Sequence, residues 1–156
     1  MVDDQTRVLI LGSLPGEISL ARAQYYANPR NQFWRLLCAV SGRDMPDDYG
    51  ARLAALRAIH IGLWDVVGSA ERTGSLDGAI RKATANPLGD LVASLPRLKA
   101  VAFNGGRASA TGAAALAGQP GLVILPLPSS SPAYTLSFEL KLARWQALAP
   151  FLPDCG

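Results

Sequence analysis

Glycines and polar side chains cluster in four short segments of the sequence, each directly after a run of apolar residues. The segments are 12–16 (GSLPG), 65–69 (DVVGS), 104–106 (NGG) and 128–132 (PSSSP). A glycine-rich turn can present backbone amides to an anion or a carbonyl oxygen, because glycine accepts φ values that other residues avoid. An asparagine such as Asn104 offers both a donor and an acceptor, which suits it to the edge of a nucleobase. An ordinary turn is the alternative for either segment.

The segment 25–34 (YYANPRNQFW) is denser in chemistry. A tyrosine offers a flat face on which a base can stack, typically worth about 1–3 kcal/mol. Asn28 and Asn31 could hold a base edge or orient a water molecule. A carboxamide is not a strong general base, but it can position a nucleophile. Phe33 and Trp34 are favoured as core residues of a helix, since large aromatic side chains usually pack inside.

The segment 128–132, which we call the serine loop, and the carboxylate of Asp65 complete the set of candidates. Hydroxyls and amides held between two prolines suit non-specific contact with DNA phosphates, although an ordinary polar loop has the same composition. Asp65 is an accessory candidate that could activate water, or else brace a loop or cap a helix. Five basic side chains could add phosphate contacts if they share a face: Arg22, Arg30, Arg35, Arg107 and Lys141.

Several chemistries lack their residues. Cys38 and Cys155 are the only cysteines and His60 is the only histidine, so a four-cysteine cluster or a histidine pair cannot form. The first segment is neither a GxGxxG dinucleotide motif nor a Walker loop. Enzymes built on histidine and cysteine chemistry are therefore mostly excluded. No metal and no organic cofactor is expected.

Alternating elements must position these segments. Apolar runs predict strands at Arg7–Leu11, Ile61–Val67, Lys99–Phe103 and Leu122–Leu125. Helical patterns cover residues 31–41, 47–59, 86–95, 107–116 and 136–152, the first with Asn28 as a cap and Pro29 at its start. This alternation predicts an α/β fold: a three-layer α/β/α sandwich around a four-stranded parallel sheet, as one domain spanning residues 1–156. Ligands of such folds bind beyond the carboxyl ends of the strands, where the four segments lie.

Composition sets weaker bounds. The 156 residues carry a net charge of +3, which is compatible with a polyanionic partner without establishing one. No apolar run is long enough to span a bilayer, and the acidic start of the sequence does not fit a signal peptide. We expect a monomeric protein in the cytoplasm with no membrane partner.

Taken together, the segments resemble a known family. GSLPG followed by YYANPRNQFW is similar to the first motif of the uracil-DNA glycosylase superfamily, and most similar to its family 6, the hypoxanthine-DNA (DNA-deoxyinosine) glycosylases. The resemblance continues through LWDVVGSAERTGSLDGAIR, AFNGG and LPSSSPAYT, in the expected order along nearly the whole chain.

The resemblance implies a role for each site residue. Asn31 resembles the catalytic asparagine of family 6, Tyr26 the aromatic residue that stacks on the flipped base, and Asn104 the base-reading asparagine. The first motif, Gly12, Ser13, Leu14, Pro15 and Gly16, would bind the base through its amides. The second motif would grip the DNA backbone through Ser129, Ser130, Ser131 and Pro132, and Ala133 and Tyr134 follow where relatives insert a wedge into the duplex.

Two departures from the wider superfamily matter. Relatives with a GINPG-type first motif hold the attacking water with its asparagine, and Leu14 stands at that position here. The aspartate and histidine of the efficient uracil-cutting relatives are also absent. The catalytic role therefore moves to Asn31.

The sequence thus predicts a monofunctional glycosylase that flips and hydrolytically removes a deaminated base from single- or double-stranded DNA, with hypoxanthine favoured over uracil. The motifs contain no lysine for a Schiff base, so strand cleavage is not expected. Two alternatives remain: a non-catalytic module that binds DNA lesions or nucleotides, and an unrelated α/β enzyme that acts on nucleotides.

Overall fold

A computed structural model describes residues 2–12, 31–44, 46–65, 88–112, 116, 121–131 and 134–153. In these ranges the strands are β1 (Val8–Gly12), β2 (Ile61–Asp65), β3 (Ala100–Asn104) and β4 (Val123–Leu127). The helices are α1 (Phe33–Ser41), α2 (Tyr49–Ala58), α3 (Leu88–Ala93), α4 (Gly106–Gly112) and α5 (Phe138–Trp145), and a 3₁₀ helix follows at Gln146–Phe151. No helix within these ranges has the length and apolar character needed to cross a membrane.

The four strands form one parallel sheet in the order β2-β1-β3-β4. Gly12 pairs with Asp65 at the end of β1 and β2, and Asn104 pairs with Leu127 at the end of β3 and β4. The carboxyl ends of all four strands therefore meet at one edge of the sheet, as the sequence predicts.

Apolar residues cover both faces of the sheet. Val8 and Ile10 of β1 pack with residues of α1, α2 and α5 on one face. Leu9 and Leu11 pack with residues of α3 and α4 on the other, because successive side chains of a strand point to opposite sides. The predicted α/β/α layers with a four-stranded parallel sheet are confirmed.

The edge strand differs from its predicted bounds. The apolar pattern ends β4 at Leu125, yet the strand continues through Pro126 to Leu127. Proline cannot donate to a sheet ladder, so it is tolerated in a strand only where that donor is not needed. Among the residues that the structure describes, β4 pairs with β3 alone, so one side of its backbone has no neighbouring strand there.

Helix ends also differ from the patterns. Helix α1 begins at Phe33, two residues after Asn31. The side-chain oxygen of Asn31, Oδ1, accepts a hydrogen bond from Phe33 N at 2.9 Å, and this bond holds Asn31 in the turn before the helix. The last predicted helix divides into α5 and the 3₁₀ helix, and the latter contains Pro150. The predicted cap at Asn28 and Pro29 lies outside the described residues.

Candidate active site

Three chain segments are joined by side-chain hydrogen bonds at the carboxyl edge of the sheet. Asn104 ends β3, Asn31 precedes α1, and Ser130 lies in the loop after β4. Asn104 Nδ2 donates to Ser130 Oγ at 2.9 Å, and Ser130 Oγ donates to Asn31 Oδ1 at 2.7 Å. Ser130 N also donates to Asn104 Oδ1 at 2.9 Å. We call these three residues the amide–serine network.

Ser130 is the centre of this network. Its side chain is only 1% exposed. Its carbonyl oxygen accepts from Gln32 N at 3.0 Å, next to Asn31. Every polar atom of Ser130 therefore has a partner in the network or in the backbone beside it.

A glycine allows the serine loop to approach β3. Gly105 has a φ of 102°, a value that glycine adopts without the strain that a Cβ would bring. A Cβ on Gly105 would lie 3.2 Å from Ser129 Cβ. Gly105 N also donates to Leu127 O at 2.9 Å. Gly105, directly after β3, thus allows the loop to lie against the end of the strand.

Two buried side chains of helix α5 anchor the serine loop. Trp145 is fully buried, and its Nε1 donates to Pro128 O at 2.9 Å. Lys141 is 1% exposed, and its Nζ donates to Ser131 O at 3.1 Å and lies 5.5 Å from the centre of the Tyr134 ring. Lys141 therefore braces the loop from inside, in contrast to the solvent-facing phosphate contact that the sequence suggested.

The buried Lys141 predicts a pH effect on stability. Burial lowers the pKa of its ammonium group. Between that lowered pKa and the ordinary value of about 10.4, the unfolded chain binds the proton and the folded chain does not, so raising the pH stabilises the fold. We expect the Tm of the wild type, minus the Tm of Lys141→Met, to increase as the pH is raised through this interval.

Thermal unfolding of both proteins across alkaline pH measures this difference. Lys99→Met, which removes an exposed lysine, is the matched control and should show no such trend. A difference between wild type and Lys141→Met that stays flat or falls with pH would contradict the effect.

A cleft of about 510 Å³ borders the serine loop at Pro128 and Ser129. It is lined by Ser109 of α4, Ser129, Tyr134 and Arg144, among others. Tyr134 is 48% exposed. Ser130 therefore belongs to the amide–serine network, whereas its neighbour Ser129 borders an open cleft that Arg144 also lines.

Of the other site residues predicted from the sequence, some lie within the described residues and the rest lie outside them. Gly12 is the last residue of β1 and Asp65 the last residue of β2, so both lie at the carboxyl edge of the sheet. The remaining ones lie outside the described residues: Ser13, Leu14, Pro15, Gly16, Tyr26, Pro132 and Ala133. Of the basic residues suggested for phosphate contact, Arg35 is exposed and its guanidinium lies 4.4 Å from the centre of the Phe138 ring.

Sequence reasoning missed Arg144 and the anchoring role of Trp145. Arg144 is one of several charged residues in α5 and carries no motif. The helical pattern of residues 136–152 includes Trp145, but the pattern cannot show its bond to Pro128, which lies 17 residues earlier in the chain. Both follow from the packing of α5 beneath the loop.

Comparison with known proteins adds independent information. A family model described as the uracil DNA glycosylase superfamily matches residues 1–149. A hypoxanthine DNA glycosylase of Methanosarcina barkeri is 44% identical over 106 residues, 67% of this chain and 67% of that protein. A hypoxanthine DNA glycosylase of Methanosarcina acetivorans is 37% identical over 149 residues, 95% of this chain and 93% of that protein.

A solved structure is similar as well. It is the solution NMR structure of a Methanosarcina acetivorans protein described provisionally as a uracil DNA glycosylase. It matches with a TM-score of 0.79 and 36% identity, over 95% of this chain and 91% of that one. The structural likeness therefore covers nearly the whole chain.

Proposed function

The chain belongs to the uracil DNA glycosylase superfamily, and from this membership we propose that it is a monofunctional DNA glycosylase that removes hypoxanthine from DNA. The two relatives named hypoxanthine DNA glycosylase support this substrate, at 37% and 44% identity. The reaction breaks the C1′–N bond with its electron pair moving onto the base. Water adds to C1′, and the proton that the water loses ends on the released base.

The amide–serine network is the observation that carries the proposal. Asn31 and Asn104 come from distant parts of the chain, and both bond to Ser130 at the edge of the sheet where ligands of such folds bind. We propose Asn31 as the catalytic residue. Asn104 retains one amide hydrogen and one oxygen lone pair beyond its bonds to Ser130, enough to bind a base edge.

The base must leave the duplex before these groups can reach it. We propose that the amides of residues 12–16 and the ring of Tyr26 complete the base pocket, and that Asp65 at the end of β2 is an accessory group. Loop residues 129 and 131–134 would contact the DNA strand, with Tyr134 beside the duplex. We also propose that the protein acts as a monomer in the cytoplasm. Sedimentation would test the monomeric state, and cell fractionation would test the location.

A panel of labelled duplexes tests the function. Each carries one inosine, uracil, xanthine or mismatched thymine, and alkali cleaves the strand wherever a base has been removed. We expect cleavage at inosine to be fastest, in keeping with the two relatives named hypoxanthine DNA glycosylase. Contacts in the base pocket would set this preference among bases. A wild-type chain that binds the lesion duplexes without releasing any base would instead support a non-catalytic lesion-binding module.

Arg144 predicts how the cleft takes part in DNA binding. It is exposed and lines the cleft together with Ser129 and Tyr134. If a DNA phosphate lies there, Arg144→Ala should weaken binding equally for all sequences and reduce the slope of log K against log salt concentration by about 1. Binding of an uncleavable duplex at several salt concentrations measures this slope.

Arg57→Ala is the matched control for this experiment. Arg57 is an exposed arginine in the last turn of α2. It lies shortly before the amino-terminal end of β2, at the opposite ends of the strands from the carboxyl edge. Its loss should leave the slope unchanged. Equal slopes for Arg144→Ala and Arg57→Ala would remove the cleft from the DNA path.

A further inference from the structure

We propose that Ser130 is a positioning residue, whose hydroxyl fixes the Asn31 side chain so that it can only donate hydrogen bonds to the substrate. The inference rests on the glycosylase function proposed above and adds the direction in which Asn31 acts. It also separates Ser130 from its neighbours in the serine loop.

Backbone N–H groups set the orientation of both side-chain amides, because a backbone N–H can only donate. Phe33 N donates to Asn31 Oδ1, and Ser130 N donates to Asn104 Oδ1, each at 2.9 Å. Both acceptor atoms must therefore be oxygens. Asn104 then reaches Ser130 Oγ with Nδ2, which can only donate. The hydroxyl proton of Ser130 is left for Asn31 Oδ1, so the network runs in one direction from Asn104 to Asn31.

This direction decides what Asn31 can offer. Its Oδ1 has two lone pairs and already accepts two hydrogen bonds, from Phe33 N and Ser130 Oγ. Among the described residues, no atom accepts a bond from its Nδ2. An attacking water needs an acceptor for its proton, whereas a departing base gathers negative charge and needs donors. The geometry therefore assigns Asn31 Nδ2 to the departing base, and not to the activation of water as an acceptor.

The same bonds remove Ser130 from phosphate contact. A phosphate oxygen accepts hydrogen bonds, and Ser130 has two donors, its N–H and its hydroxyl. Asn104 Oδ1 takes the first and Asn31 Oδ1 the second. With the side chain 1% exposed, no donor remains for DNA. Ser129, which lines the cleft, is the serine placed to contact a strand.

Ser130→Ala tests the proposal by separating the rate from the affinity. With enzyme in excess over a deoxyinosine duplex that the wild type cleaves, we expect the single-turnover rate to fall by about 10- to 100-fold, because small displacements of a catalytic group are costly. The Kd for the duplex should stay within a few-fold of the wild type. A weaker Kd with an unchanged saturating rate would overturn the proposal and restore a phosphate contact.

A double-mutant cycle shows whether Ser130 acts through Asn31. If it does, adding Ser130→Ala to Asn31→Ala should slow the reaction little further, because residues that act as a unit are not additive. Independent effects that multiply would contradict the proposal. Ser94→Ala, which removes an exposed hydroxyl from the end of α3, is the matched control with an unchanged rate.

The folded state of each variant is checked by its thermal transition. If Ser130→Ala does not fold, Ser130→Cys carries the same test, because a thiol fills the place of the hydroxyl with a somewhat larger atom and is only a weak donor. A wild type that releases no base from any duplex refutes the proposed function. A wild type that is active beside a Ser130 variant with a normal rate refutes only this inference.

Discussion

Asn31→Asp is expected to excise hypoxanthine about 100- to 1000-fold more slowly than the wild type, the usual effect of losing one donor to a developing negative charge. The carboxylate can still accept the bonds that Asn31 Oδ1 receives from Phe33 N and Ser130 Oγ. Its second oxygen would then stand where Nδ2 stands now, and present a negative charge to a base that is itself becoming negative. Single-turnover excision from a deoxyinosine duplex at neutral pH measures the loss.

The aspartate variant distinguishes the two roles that an asparagine could have. If Asn31 held the attacking water as an acceptor, a carboxylate would serve at least as well, and Asn31→Asp would match or exceed the wild type. Asn31→Ala is the companion variant and should be comparably slow. An aspartate variant much faster than the alanine variant would contradict the donor role.

Trp145→Ala is expected to lower the free energy of unfolding by about 3–5 kcal/mol, the range for truncating a large buried aromatic residue. That is a large share of the roughly 5–15 kcal/mol that stabilises a typical domain. The indole is fully buried, and its ring lies 5.9 Å from the ring of Phe33 at 77°. Its Nε1 bonds to Pro128 O. The residue thus supports both Phe33, whose N–H holds Asn31, and the loop that carries Ser130.

Trp145→Phe separates the hydrogen bond from the packing. It should fold, lose about 0.5–1.5 kcal/mol for the bond beyond the cost of reduced volume, and slow excision because the loop is released. Trp34→Phe is the matched control: Trp34 is also buried, in α1, and its Nε1 has no partner among the described residues. Denaturant unfolding and single-turnover excision, made on both variants, give the comparison. Equal stability and equal rates would contradict the anchoring role.

The sequence predicts the sheet because apolar runs and helical patterns alternate along the chain. The order of strands and helices also predicts that Asn104 lies at the carboxyl edge of the sheet, whereas Asn31 is assigned to the same site only by the family resemblance. The predicted limits of β4 and α5 were wrong. Pro126 is tolerated in β4 because β4 lies at the edge of the described sheet, which the local sequence does not show. The change from α-helix to 3₁₀ helix after Trp145 depends on tertiary packing.

The division of labour within the serine loop could not be predicted. Ser129, Ser130 and Ser131 are chemically identical, and only the approach of the loop to Gly105 and Asn104 decides which hydroxyl faces which partner. The bonds that matter most join residues far apart in sequence. Periodicity and composition carry no information about such contacts.

Base release by the protein, and the part of Asn31 in it, can be measured as the amount of free hypoxanthine released from a deoxyinosine duplex, determined by mass spectrometry with enzyme in excess. For the wild type we predict free hypoxanthine in equal amount to the alkali-labile sites formed, and for Asn31→Asp almost none of either over the same time. A wild type that leaves the base attached would contradict the glycosylase function, and an Asn31→Asp variant that releases the base at the wild-type rate would contradict the donor role of Asn31.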